Sequence, residues 1–160
     1  MKQLIPFEYY LKIVREFNEK YPGSHVGGSI GLFLHGFDLK RELRKSDLDI
    51  TIPTPLPPSF QIENYEESSA FEDFDIQLRV YPEKNGLYIK VDINVNAEIG
   101  FDVIRFEGNQ YNVSKKEDIL SWKKKYAQKG IEKHINDLIT IETGLRPAEK
   151  PVLNHDDLPF

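Results

Sequence analysis

The chain has 160 residues, 39% of them apolar and 12% aromatic, with 26 acidic against 21 basic side chains for a formal net charge of −5. That length suits one domain with a real core, and the acidic balance argues against non-specific adhesion to a nucleic-acid backbone while leaving room for a local basic patch. With no cysteine, disulfide scaffolds, thiolate zinc sites and cysteine nucleophiles are excluded; no apolar run has the length of a signal peptide core or a membrane span, so the expectation is a soluble, cytoplasmic protein.

The first predicted element is a helix from Pro6 to Tyr21. Phe7, Tyr10, Leu11, Val14 and Phe17 recur at spacings of three and four and gather on one face. Pro6 suits a first helical position, and Pro22-Gly23 stops the element. A short segment, Ser24-His25-Val26, runs into Gly27-Gly28-Ser29, after which Ile30, Phe33 and Leu34 mark the buried side of a short helix ending near Gly36. Phe37 to Ser46 is a charged connector.

From Asp47 the period becomes two. Leu48, Ile50 and Ile52 alternate with Asp47, Asp49 and Thr51, which predicts a strand with one apolar and one polar face. Pro53, Pro55, Pro57 and Pro58 end it, because proline cannot donate to a ladder. Gln61 to Ser69 reads as an exposed loop with room for a weak extra element. Two alternating runs follow, around Ile76-Leu78-Val80 and Val91-Ile93-Val95, with Asn85-Gly86 as a hairpin signal between them. Phe101 to Phe106 and Tyr111 to Val113 flank Gly108-Asn109 as a second hairpin. Ser114 and Glu117 have capping-box spacing ahead of a helix carrying Ile119, Leu120 and Trp122. A last helix carries Ile131, Ile135, Leu138, Ile139 and Ile141 up to Gly144. The expected architecture is α+β, a mixed sheet of about five strands with helices on one face. Residues 1–144 form its single domain and 145–160 an extended tail.

The chemistry lies in acids on separate strands. Asp47 and Asp49 are two apart and leave the same sheet face, and Asp92 repeats the pattern on another strand. Asp75 repeats it a third time and is read as structural. If these strands are neighbours, the carboxylates repel one another unless cations neutralise them, and their hard oxygens suit magnesium or manganese. Upstream, Gly27-Gly28-Ser29 opens a short helix, where free amides and a close-approaching glycine backbone favour a phosphate. A phosphate cradle followed by an Asp-x-Asp strand describes a site for a metal-bound nucleoside triphosphate.

In order, Val26-Gly27-Gly28-Ser29, Ser46-Asp47-Leu48-Asp49-Ile50 and Val91-Asp92-Ile93 resemble the signature elements of the DNA polymerase beta-like nucleotidyltransferase superfamily. The stretch from Val113-Ser114 through Glu117-Asp118-Ile119-Leu120 to Lys123, then Lys133-His134 and Asp137-Leu138, is similar to the C-terminal helices of its small members, among them abortive-infection toxins and antibiotic-modifying enzymes. The likeness spans roughly residues 24 to 141. It implies that Gly28 and Ser29 hold the triphosphate, that Asp47, Asp49 and Asp92 are the catalytic acids and bind two magnesium ions, and that Lys123 and Lys133 steady the phosphates. It implies transfer of a nucleoside monophosphate to a hydroxyl acceptor (a small molecule, an RNA end or a protein), with pyrophosphate released, and for a toxin an antitoxin partner. The stretch between Ser29 and Asp47 is long for the family, and its Arg41, Arg44 and Lys45 can contact phosphate or an acceptor or face solvent; Asn94, two after Asp92, is compatible with the pattern but adds no charge.

Plainer readings stand beside these. Asp47 and Asp49 can be the solvent side of a strand, Gly27-Gly28 a tight turn, and Lys123 to Lys125 a solvated helix face. The four histidines show no metal-ligand spacing, and Trp122 and the aromatic residues of the first helix read as core, too scattered for a nucleic-acid stacking platform. A degenerate nucleotide- or partner-binding module and a metal-dependent phosphohydrolase are the rival functions.

Overall fold

A computed structural model describes residues 4–53, 65–68, 75–82, 86–95 and 100–146. Its elements are helices α1 (Phe7–Lys20), α2 (Gly28–Leu34), α3 (Lys116–Gln128) and α4 (Glu132–Thr143). The strands are β1 (His25–Val26), β2 (Leu48–Ile52), β3 (Tyr65–Ser68), β4 (Asp75–Val80), β5 (Ile89–Val95), β6 (Phe101–Phe106) and β7 (Asn109–Ser114). The strands form one mixed sheet in the order β3-β4-β5-β2-β1-β7-β6. Pairs β2/β5 and β1/β7 are parallel and the others antiparallel. The α+β class is as expected, with seven strands in place of about five.

Alternation in the central strands sorts the sheet into two faces. Val26 faces Ile50 and Val113, Leu48 faces Val91, and Ile50 faces Ile93. All are essentially fully buried, together with Ile52, Ile89 and Tyr111. Leu11, Val14 and Phe17 of α1 and Ile30, Leu32 and Leu34 of α2 complete one cluster with them, joined by Ile119 of α3. Each such side chain contributes roughly 1.5–3 kcal/mol of burial, so the helix-covered face fixes the register. A one-residue slip of β2 would exchange Leu48 and Ile50 for Asp49 and Thr51 in the core. On the other face the same register sets Asp49 beside Asp92 and Thr51 beside Asn94. Asp75 lies opposite Asn94, one row beyond Asp92.

Several local expectations change. Tyr65–Ser68, inside the predicted loop, forms strand β3 on β4. Pro6 is the N-cap of α1 rather than its first helical residue. The β6–β7 turn is Glu107-Gly108, both at positive φ (49° and 82°), while Asn109 already pairs with Phe106; two left-handed residues match the twist of a two-residue hairpin. Ser114 does not cap α3, whose N-cap is Lys115 without a side-chain bond. Instead Ser114 ends β7, and its Oγ lies 2.6 Å from Nδ1 of the buried His25. Trp122 is half-buried on the surface of α3 rather than in the core. The tail from residue 147, Pro55, Pro57, Pro58 and Asn85 lie outside the described residues. Among those residues, no helix is long and apolar enough to cross a membrane.

Candidate functional site

The open face of the sheet carries the acids where β2 and β5 run in parallel. Asp49 and Asp92 are register partners on these strands, which places their backbones about 4.8 Å apart with side chains on one face. Asp47, immediately before β2, reaches toward β5, and its Oδ2 lies 3.5 Å from Lys90 Nζ. The Asp49 side chain is exposed to solvent, yet protein packs close around it, with Gly28 backed against its carboxylate. Desolvation by that surrounding protein, followed by repulsion from Asp92 and Asp47, pushes its pKa up to about 7, against the pull of Lys133 and Lys123. A carboxyl reachable from water but poorly solvated by it is one that a cation entering from solvent would stabilise.

The turn between β1 and α2 is built around Asp49. Gly27 N–H donates to the Asp49 carbonyl at 2.8 Å, locking the turn to β2. Gly28 follows at φ +61°, and a Cβ there would lie 2.2 Å from Asp49 Oδ2 and 3.1 Å from its Cγ. The cradle exists only because residue 28 has no side chain. Gly28→Ala should therefore cost about 1–2 kcal/mol in left-handed backbone strain alone, plus displacement of the Asp49 carboxylate. Urea unfolding of the variant checks this; in an Asp49→Ala background the overlap contribution should vanish and the backbone contribution remain.

Ser29, the next residue, is buried, and its Oγ accepts from Arg41 Nη2 at 2.6 Å and from Lys123 Nζ at 3.3 Å. Both cationic donors, the guanidinium and the ammonium, converge on Asp137 of α4. Arg41 is bidentate to it, Nε to Oδ1 at 2.7 Å and Nη2 to Oδ2 at 2.8 Å, and Lys123 Nζ donates to Oδ2 at 2.7 Å. Arg41 also donates to Ser46 Oγ at 2.9 Å, one residue before Asp47. A tight turn aims Arg41 inward: Lys40 stands at φ +54°, and its N–H donates to Asp38 Oδ1 at 2.8 Å. Tyr10 of α1 donates its hydroxyl to the Arg44 carbonyl, fixing the far end of the connector.

Burial by itself would raise the Asp137 carboxyl, but hydrogen bonding from Arg41 and the charge of Lys123 outweigh it and hold the pKa low. Burial lowers Lys123, with Asp137 opposing. Beside Lys123, His134 Nδ1 lies 3.4 Å from the ammonium. Burial and the charges of Lys123 and Lys133 lower His134 to about 4, so it is neutral at neutral pH.

Of the predicted site residues, Asp49, Asp92, Gly28, Ser29 and Lys123 come together at the junction of β2, β5, α2 and α3. Asp47 stands at the edge, engaged with Lys90. Lys133 is exposed on α4, near enough to Asp49 for its charge to act there. Among the described residues, no three His, Cys, Asp or Glu side chains form a ready metal cage. The donor set nevertheless fits a hard divalent cation, since Asp49 and Asp92 present carboxylates side by side against a glycine backbone. The sequence reading left Arg41 between contacting phosphate or an acceptor and facing solvent, and gave Asp137 no role of its own; here Arg41 turns inward onto Asp137 and Ser29. For Lys123 a signal existed: it continues Ile119 and precedes Ala127 at spacings of four, and all three are buried.

No protein-family model matches the chain, and no curated protein matches it. Among solved structures it is similar to the crystal structure of a "putative nucleotidyltransferase" from H. pylori, at 16% identity and a TM-score of 0.46. The match covers 73% of this chain and 55% of that one, so the chain spans about half the length of the protein it matches. A likeness at this level assigns neither family nor chemistry.

Proposed function

We propose that the protein is a magnesium-dependent nucleotidyltransferase, moving a nucleoside monophosphate from a triphosphate to a hydroxyl acceptor. The observation that carries this reading is the pairing of Asp49 with Asp92 on adjacent parallel strands, with Gly28 backed against the Asp49 carboxylate. In this reading Asp49 and Asp92 hold the metal, with Asp47 joining them on release from Lys90. Magnesium bound there, or manganese in its place, supplies positive charge for the entering and leaving oxygens of an in-line displacement.

The chain's own groups do the rest. Ser29 Oγ already accepts from two cations, which leaves its O–H to donate to a phosphate oxygen. Lys123 and Lys133 supply charge on the triphosphate side. The acceptor oxygen attacks the α-phosphorus, the bond to the bridging oxygen of the β-phosphate breaks, and pyrophosphate leaves. Asp92 takes the proton of the acceptor hydroxyl.

Incubation with each α-labelled nucleoside triphosphate, magnesium and cell lysate tests the reading. The expected result is a labelled acceptor with stoichiometric pyrophosphate. Release of inorganic phosphate would instead indicate a phosphohydrolase. Saturable ATP binding without turnover would indicate a binding module.

A further inference from the structure

Helix α3 carries a surface that the proposed reaction does not use. Trp122, Lys125, Tyr126 and Lys129 stand at positions i, i+3, i+4 and i+7, one face of the helix and its C-cap. The contacts bear out that shared face: Lys125 Nζ lies 5.2 Å from the centroid of Trp122, and Lys129 Nζ lies 5.4 Å from that of Tyr126. The two rings are 5.7 Å apart, and His134 of α4 stacks on Tyr126 at 5.3 Å and 27°. Both lysines are exposed and the three rings are half-buried. The stripe sits in the basic part of an acidic chain: residues 115–137 hold seven lysines and four acids, a local charge of +3 against −5 for the whole.

We infer that this stripe is a docking surface for single-stranded nucleic acid. Lysines alternating with flat rings meet the two chemistries of such a strand, phosphates at fixed intervals and unstacked bases. An acidic peptide would use the charges but leave the rings without a partner, and a duplex would hide its base faces from them. On binding, each ammonium moves from above its ring to a phosphate, and a base takes its place; stacking of a base on a ring outweighs an exposed cation–π contact. The neutral His134 extends the platform without repelling the lysines. The inference stands whether or not the protein transfers nucleotides.

Trp122 is the only tryptophan, so its fluorescence reports directly on the stripe. The full chain is titrated with a 12-nucleotide single-stranded RNA of mixed sequence, in EDTA and without nucleoside triphosphate, so that failure of the transferase reading does not affect the result. Quenching of Trp122 is expected, with affinity falling as salt rises. In Lys125→Gln/Lys129→Gln the log–log salt slope should become shallower by about 1.4, at ~0.7 per phosphate contact for a single strand. Lys12→Gln/Lys20→Gln on α1 removes the same charge and should leave the slope unchanged. Absence of quenching, equal slopes in the two double variants, or tighter binding of polyglutamate or duplex RNA than of the single strand would each overturn the assignment.

Discussion

Asp49→Asn is expected to abolish nucleotidyl transfer, by about 10³-fold or more in kcat as for loss of a group acting directly on transition-state charge, while raising the thermal stability of the metal-free protein. The two effects have one origin. Asp49 has an ordinary carboxylate pKa in the unfolded chain and one near 7 in the folded protein, through desolvation and the neighbouring Asp92 and Asp47. Below pH 4 both states hold the proton, and the group is neutral toward folding. As pH rises toward 7 the unfolded state gives up its proton first, so the native state loses stability progressively, and above 7 the loss is complete. Asparagine removes the charge but keeps the shape. The variant should therefore melt higher than the parent at pH 8 in EDTA, and the gap should close toward pH 4. Magnesium should raise the melting temperature of the parent by binding the native state and leave that of the variant unchanged. Full residual turnover, or equal response of both proteins to magnesium, would remove Asp49 from the site.

A stability gain from a substitution that destroys activity would mark a site strained for function, and the acids of that site bear on what the sequence made legible. Alternation of apolar and acidic residues over 47–52 and 91–95 defined the faces of β2 and β5. Because hydrophobic burial dictates register, it also brought Asp49 next to Asp92. The sequence could not reveal which strands are neighbours: β2 pairs with β5 across some forty residues, and strand order is a tertiary property. The Ser114 cap failed for a related reason. Its spacing to Glu117 was right, but a buried His25 from β1 captured the hydroxyl, and only the β1/β7 pairing brings the two together. Strand β3 showed in the sequence only as room for a weak extra element in a loop, because its Glu- and Ser-rich stretch has no apolar alternation; the backbone pairing with β4 defines it. The role of Arg41 was left open on different grounds. A charged connector looks the same whether its arginine faces solvent or turns inward, and the Lys40 turn that decides between them depends on Asp38.

Asp137→Ala is the substitution expected to cost most in stability, because it strands a buried ammonium. The side chains of Lys123 and Asp137 are 3% and 1% exposed, and Arg41 is a quarter exposed. With Asp137 gone, Lys123 retains, among the described residues, Ser29 Oγ and His134 Nδ1, at 3.3 and 3.4 Å, neither of which carries charge. Breaking one partner from a buried pair typically costs ~3–5 kcal/mol, which for a chain of this size lowers the melting temperature by roughly 6–20 °C. The loss should be full at pH 7 and shrink as pH falls below about 4, because a carboxyl whose folded pKa is held low contributes stability above its unfolded value and surrenders it as the folded form protonates. Lys123→Met/Asp137→Leu separates charge from packing. Apolar replacement of both partners should recover most of the stability, while in the proposed reaction transfer should fall, because the charge assigned to steadying the phosphates is gone. Arg41 tolerates the double change, being partly solvated and still bonded to Ser29 and Ser46. If Asp137→Ala unfolds within about 1 kcal/mol of the parent at pH 7, as an exposed ion pair would, then the connector is not anchored through this carboxylate and Lys123 is not held toward Ser29 by it.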